Sequence, residues 1–524
     1  MLVAVLWMAS LGVTFLAGAV AYKYRVRIRA MLSSVQGGEM IATNLYNIRV
    51  AKLRMPEGFA GGRDGGLAPL RDGVLLADRE GALWFVGADR VPQALALRVP
   101  VNSEALRTDP DIEGLINAAQ FGVKDVMIQA LPNGLRLFVS HNQWNPDENC
   151  YVLRVSALET TESALTGGAA GEGSWRTLFD SSPCYELSTL PGGVSPHPTL
   201  GAGGRMALLD DQHLVLTIGG FKGELELETA EKYWDRSNSY GKTVVVDLGS
   251  GESRILTIGH RNPQGLTRDN AGRLWLTEHA ARGGDELNLL TDGANYGYPA
   301  VSYGTAYGEM SWPGNPRQGH HEGYAKPHFA WVPSLGISQL IQVNGPAFAH
   351  WRDDLLVSSL AAQSLFRVRL EGDRVTFVEP VPIGHRVRDL VEQADGTLVA
   401  KTDDDVLVYL FPQEALSMDD PSLTPVERGG LLASSCSGCH ALSDGAPDGI
   451  GPNLHGVIGR NLAARRGFAY SAALRAAGGS WSAERLRAYI VDPSAAVPGT
   501  TMPSIRSFTE RELDDLLAYF GSLR

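Results

Sequence analysis

Cys436, Cys439 and His440 form a Cys-x-x-Cys-His run whose chemistry is haem attachment. Two thiols at this spacing can form thioethers to the two vinyl groups and place the next residue, His440, under the iron. A zinc site would want a second Cys/His pair, and none is spaced for it. A thioether sulfur is a soft, neutral ligand that favours ferrous iron. Met502, the only Met after the motif, would complete a His/Met pair suited to electron transfer. A second concentration of polar residues lies upstream, in Gly259-His260-Arg261-Asn262-Pro263-Gln264, Glu278-His279-Ala280-Ala281-Arg282-Gly283-Gly284-Asp285-Glu286 and Asn295-Tyr296-Gly297-Tyr298-Pro299. With Arg386 and Arg388 it offers guanidinium forks, which bind carboxylates in planar, bidentate geometry.

The elements that must position these residues differ in kind. Between about residue 45 and residue 412 the chain shows short β-rich runs and almost no long helical period. Six times a turn signal leads into such a run: Asp72-Gly73, Asn133-Gly134, Asp210-Asp211, Asn270-Ala271-Gly272, Asp353-Asp354 and Asp395-Gly396. They recur at roughly 40 to 80 residues, the range of a four-stranded blade with insertions. Six repeats predict a mainly β six-bladed propeller, in which blade loops on one face meet at the axis; the uneven spacing also admits five or seven blades. After a linker at 413–424, residues 425–524 read as a small all-α domain with a closing helix from Thr509 to Leu523.

Residues 424–524 resemble class I cytochrome c through Cys436-x-x-Cys439-His440, the loop Gly451-Pro452-Asn453-Leu454-His455-Gly456, Tyr470-Ser471, Trp481 and Met502. The resemblance implies a covalent haem c, His440 and Met502 as axial ligands, and Tyr470 and Trp481 near the propionates. Arg428 stands where that family has a helix-contact glycine, and Leu432 replaces an aromatic. Residues 195–400 resemble the glucose/sorbosone dehydrogenase family through the polar runs above, Gly204-Arg205, Gly241-Lys242 and Arg386-Val387-Arg388-Asp389. Its members are six-bladed propellers that use pyrroloquinoline quinone (PQQ) and calcium to oxidise sugars or related alcohols. This implies Arg261, Asn262, Arg386 and Arg388 as cofactor-binding residues, with backbone calcium ligands at Ala280 and Ala281 in place of the usual Gly-Pro. Three positions depart from the pattern. The general base falls at Gly201, an acidic partner at Gly220 and a cofactor lysine at Ala361; His197 is the substitute base that a rebuilt loop would bring in.

A net charge of −12 without a basic run beyond residue 30 excludes nucleic acid as a partner. From Leu2 to Tyr22 no charge occurs, long enough at 1.5 Å per residue to span a bilayer core. Residues 1–30 therefore read as a transmembrane anchor helix. Ala19-Val20-Ala21 leaves a cleaved signal open, although the basic n-region of a signal peptide is missing. Lys23, Arg25, Arg27 and Arg29 would by charge alone stay in the cytoplasm, whereas covalent haem attachment requires the far side, so the soluble parts are expected in the periplasm on an inner membrane. Cys150 and Cys184 remain, as a loop-closing disulfide or as two separate thiols. The expected activity is a quinohaemoprotein that oxidises a small-molecule sugar or alcohol and passes electrons through haem c to a downstream respiratory acceptor. The alternative is an electron-transfer cytochrome carried by a catalytically degenerate propeller.

Overall fold

The computed structural model describes residues 39–109, 121–166, 175–186, 189–190, 193–194, 201–221, 233–306, 312, 319–412, 424–436, 439–503 and 508–523. The predicted anchor, residues 2–22, and His197 lie outside them; among the described residues no helix is long and apolar enough to cross a membrane. The chain divides into two compact units, one of Val50–Phe411 and one of Met40–Arg49 with Pro412–Arg524.

The first unit is a six-bladed β-propeller. Its innermost strands are Gly66–Leu70, Val123–Leu131, Gly203–Leu208, Pro263–Arg268, Ile337–Gln342 and Val387–Glu392. Each packs on the next, and the last on the first, which closes the ring. Blades one to five run outward as antiparallel meanders, and the sixth is completed from the other end of the chain, by Asn47–Arg54 pairing with Val406–Pro412. All six turn signals fall at one place, the hairpin between the innermost and second strands. The second strand is covered on both faces, so it reads as an unbroken buried run, as in Gly73–Ala77, Leu355–Ser359 and Leu398–Thr402. The repeat in the sequence is therefore the inner hairpin of each blade.

Inner strands approach closely enough to demand glycine: a Cβ at Gly265 would lie 2.5 Å from the Ser338 carbonyl oxygen. Inside the ring the buried Arg205 joins three further blades to its own. Nη1 donates to Asp125 Oδ1 and Asp389 Oδ2, both at 2.9 Å, while Nε and Nη2 donate to the Gln264 and Arg388 carbonyls at 3.0 and 2.9 Å. One cation between two buried carboxylates leaves excess negative charge, and burial pushes the Asp125 carboxyl up to about 7, against Arg205 and with the help of Asp389. On the rim, Cys150 and Cys184 are bonded to each other across a separation of 34 residues.

The second unit is helical. Pro425–Ala433, Ala472–Ala476, Ala483–Val491, Pro493–Ala496 and Glu510–Ser522 surround a core that includes Leu432, Cys436, Trp481, Leu516 and Phe520. Thr509 caps the closing helix in a capping box with Glu512. The helix-contact glycine is present after all, one residue later than expected: a Cβ at Gly429 would lie 1.9 Å from the Asp515 carbonyl oxygen. Beside that contact Arg428 forks onto the buried Asp515 carboxylate at 2.7 and 2.9 Å.

Candidate functional site

At the mouth of the propeller the segment between blades three and four is held from behind. His260, fully buried, hydrogen-bonds Glu278 Oε2 through Nδ1 at 2.9 Å and Thr257 Oγ1 through Nε2 at 2.8 Å, and stacks on Tyr296 at 4.8 Å. The other Glu278 oxygen accepts the Arg261 backbone N–H. With its backbone fixed, Arg261 directs Nη1 to the His279 carbonyl at 2.8 Å. His279 Nδ1 lies 2.8 Å from the Ala280 carbonyl, so the Nδ1–H tautomer fits and Nε2 keeps its lone pair. Burial lowers the His279 pKa; Asp285 opposes this, and the charges of Arg261 and Arg388 reinforce it. The imidazole is therefore neutral near pH 7.

Arg261, Glu278, His279, Glu286 and Tyr298 are among the residues lining a small, half-open cleft. Burial, with the nearby negative charge of Glu278, pushes Glu286 up to about 8. Arg388 acts on the same imidazole as Arg261, although it comes from blade six. Its fork is bound to Asp403, Nε to Oδ1 at 2.9 Å and Nη2 to Oδ2 at 3.1 Å, and Arg386 Nε shares that carboxylate at 2.9 Å. Burial alone would raise Asp403, but the two arginines hold it below the usual carboxylate range. Of the four predicted residues Arg261 lines the cleft; Arg388 and Arg386 are paired with Asp403 instead, Arg386 at an exposed position. Lys242 takes no part: its ammonium donates to Asn238 and the Tyr240 carbonyl in the fold interior.

The three departing positions lie at this mouth. A Cβ at Gly201 would come 3.7 Å from Asn262 Cγ, so the vacated base position does border the predicted cofactor residues. Next to it, Gly220 donates its N–H to the Arg261 carbonyl at 2.9 Å. A Cβ at Gly220 would meet the Tyr233 hydroxyl at 2.2 Å, so the ring of the buried Tyr233 fills the space of the expected acid. Ala361 lies beside Gly336, at the start of the blade-five inner strand. Of the backbone positions at 280 and 281, the Ala280 carbonyl accepts from His279 and its N–H donates to Asp285 Oδ1 at 3.0 Å. Asp403 and Tyr233 were not legible in the sequence. An acidic triplet, Asp403-Asp404-Asp405, and the pair Gly219-Gly220 were their only traces.

In the helical unit His440 Nδ1 lies 2.7 Å from the Pro452 carbonyl, which orients the ring and leaves Nε2 for iron. Gly451 is required beside it, since a Cβ there would lie 2.2 Å from the imidazole. Met502, Tyr470 and Trp481 all border the same apolar core, and Cys436 is buried in it. A soft sulfur, an oriented imidazole and two correctly spaced thiols fit a covalent haem.

The Glucose / Sorbosone dehydrogenase family profile matches residues 65–408. The chain belongs to the glucose/sorbosone dehydrogenase family. The cytochrome c profile matches residues 426–524, and cytochrome c-550 of Nitrobacter winogradskyi is 40 % identical over 94 residues, 18 % of this chain and 86 % of that protein. The C-terminal unit is accordingly a cytochrome c domain, which implies covalent haem c. An uncharacterised protein of Synechocystis is 28 % identical over 361 residues, 64 % of this chain and 81 % of that one. An aldose sugar dehydrogenase of Escherichia coli is 32 % identical over 155 residues, covering 29 % of this chain and 42 % of that enzyme, less than half its length. The apo crystal structure of the soluble Escherichia coli aldose sugar dehydrogenase superposes with a TM-score of 0.55 at 24 % identity, covering 70 % of this chain and all of that one, and shows the shared propeller fold.

Proposed function

We propose that this member of the glucose/sorbosone dehydrogenase family is a membrane-anchored, periplasm-facing quinohaemoprotein. Its propeller oxidises a sugar or related alcohol with PQQ, and its haem c hands the electrons to a respiratory acceptor. The observation that carries the reading is the polar cleft at the propeller mouth, in which Arg261, held by Glu278 and by the His279 carbonyl, lines the same space as His279. Guanidinium groups suit a planar polycarboxylate such as PQQ, which Arg261 and Asn262 would hold, joined by Arg386 and Arg388, whose present partner is Asp403. PQQ, when bound, supplies a two-electron acceptor, and calcium, held by oxygen ligands such as the Ala280 and Ala281 carbonyls, a Lewis acid. His279 is the described imidazole positioned to accept a hydroxyl proton, while His197 remains a candidate on a segment outside the described residues.

Oxidation of one alcohol releases two electrons, whereas haem c carries one. The haem must therefore be reoxidised within each turnover, which is why a downstream acceptor belongs to the function. The test is haem reduction in the purified full chain, followed after adding PQQ, calcium and a panel of sugars. Sugar-dependent reduction supports the reading, and its absence across the panel overturns it. Anchoring is tested separately by a C-terminal alkaline phosphatase fusion, which should be active and membrane-bound.

A second reading, a redox-inert propeller carrying a cytochrome, is favoured by one observation. Both members of the expected base and acid pair are glycine, and Tyr233 occupies the space at Gly220. Wild-type protein that binds no PQQ would decide for it.

A further inference from the structure

Asp285 opens the third strand of blade four, Asp285–Leu289, and is fully buried. A carboxylate is tolerated there only where donors replace its water. Five do so, from two loops of the propeller mouth. Oδ2 accepts the backbone N–H groups of Leu335, Gly336 and Ile337 at 2.9, 2.7 and 3.2 Å, at the entrance to the blade-five inner strand. Oδ1 accepts the Ser334 hydroxyl at 2.9 Å and the Ala280 N–H at 3.0 Å.

That N–H belongs to the same planar peptide as the His279 carbonyl, and the carbonyl accepts Arg261 Nη1 at 2.8 Å. One peptide group therefore lies between a buried carboxylate and a guanidinium that lines the cleft. Hydrogen bonds in a chain polarise one another, so a carboxylate on the N–H makes the carbonyl at the other end a stronger acceptor. Glu278 fixes where Arg261 leaves the backbone, and this peptide fixes where its side chain ends. We propose that Asp285 is a positioning residue for ligand binding. Through the His279–Ala280 peptide it aims the Arg261 guanidinium at a carboxylate of the cofactor, and through residues 334 to 337 it references that aim to blade five. The proposal rests on the PQQ reading and deepens it. A mere tie between two blades would act whether or not Arg261 is present, whereas a positioning role vanishes with Arg261, and a double-mutant cycle separates the two.

The test is equilibrium binding of PQQ to the purified full chain, with thermal unfolding as a control for folding. Asp285→Asn keeps the shape but puts an amide nitrogen in place of one acceptor oxygen; it should raise the Kd about tenfold, and Arg261→Ala should do the same. In the Arg261→Ala background Asp285→Asn should cost nothing further. Ala280→Pro removes the connecting N–H and leaves the carboxylate with its other four donors. It should reproduce the loss, again only when Arg261 is present, and it carries the test if Asp285→Asn does not fold. Unchanged affinity in Asp285→Asn while wild type binds PQQ overturns the proposal and leaves the PQQ reading standing. So does a loss of the same size with and without Arg261, which marks Asp285 as a tie between blades. Wild-type protein that binds no PQQ overturns both.

Discussion

The residues that the cytochrome unit offers to haem lie between Cys436 and Met502, and Cys436, Tyr470, Trp481 and Met502 border one small core, whereas the propeller mouth draws Arg261 from blade four and Arg388 from blade six. In the first case the residues come from one short stretch of chain, and thioether bonds to a haem would hold them together. In the second, each blade is stabilised by its own ladder of strands, and the mouth is only where six ladders happen to begin. A blade can therefore lose its contribution without losing its fold. Blade three has glycine at 201 and 220, where the resemblance expects a base and an acid, with Tyr233 packed against Gly220, while His260 and Arg261 keep their hydrogen bonds to Glu278 and the His279 carbonyl. Local chemistry is kept or lost as a unit; distributed chemistry can be lost one blade at a time.

The sharpest break between the regions is expected from Cys436→Ala with Cys439→Ala. No covalent haem should appear on a peroxidase-stained denaturing gel, and all sugar-linked haem reduction should vanish while PQQ binding persists. Met502→Ala should keep the covalent haem but lose the ferric near-infrared band of sulfur ligation. Next, Arg388→Ala should weaken PQQ by at least about tenfold, measured by equilibrium dialysis, with an unaltered haem spectrum. An effect on the haem spectrum would mean that the two sites are not independent in the way their construction implies.

A smaller effect concerns pH. Asp125 has a folded pKa of about 7 against 3.8 for a free carboxyl, so between those values the folded state holds a proton that the unfolded state has released. Stability from this group is then lost as pH rises through that window and changes no further above it. The wild-type propeller Tm should fall relative to Asp125→Asn from about pH 4 to 7 and run parallel above. The smallest change is Thr509→Ala, which removes the capping box of the closing helix and should cost about 1 kcal/mol in the cytochrome unit alone, measured by denaturant unfolding followed at the haem.

Asp- or Asn-led turn signals pointed to six blades, though their uneven spacing also admitted five or seven; each falls in an inner hairpin, ahead of the second strand of its blade. Cys436-x-x-Cys439-His440 was equally plain, since thioether geometry is set by covalent reach. The helix-contact glycine was misplaced by one residue, at 428 instead of 429, because the contact is with Asp515, far along the chain, and leaves no local mark. Tyr233 and Asp403 were invisible for the same reason.

What the chain carries within itself is everything governed by short spacing: the thiol pair and its histidine, the turn residues, the buried second strands, the capping box, the uncharged run at 2–22. Which arginines come to the same mouth was decided only by closure of the ring. Arg261 and Arg388 are linked by no local pattern, and both stand at the starts of inner strands because six inner strands pack in a circle and Arg205 ties four blades across it. The same closure set Lys124 beside Gly204 and filled the place at Gly220 with Tyr233. Covalent reach and hydrogen-bond geometry act over a few residues and are written in sequence; excluded volume and charge act through space, and the tertiary structure decides which residues they join.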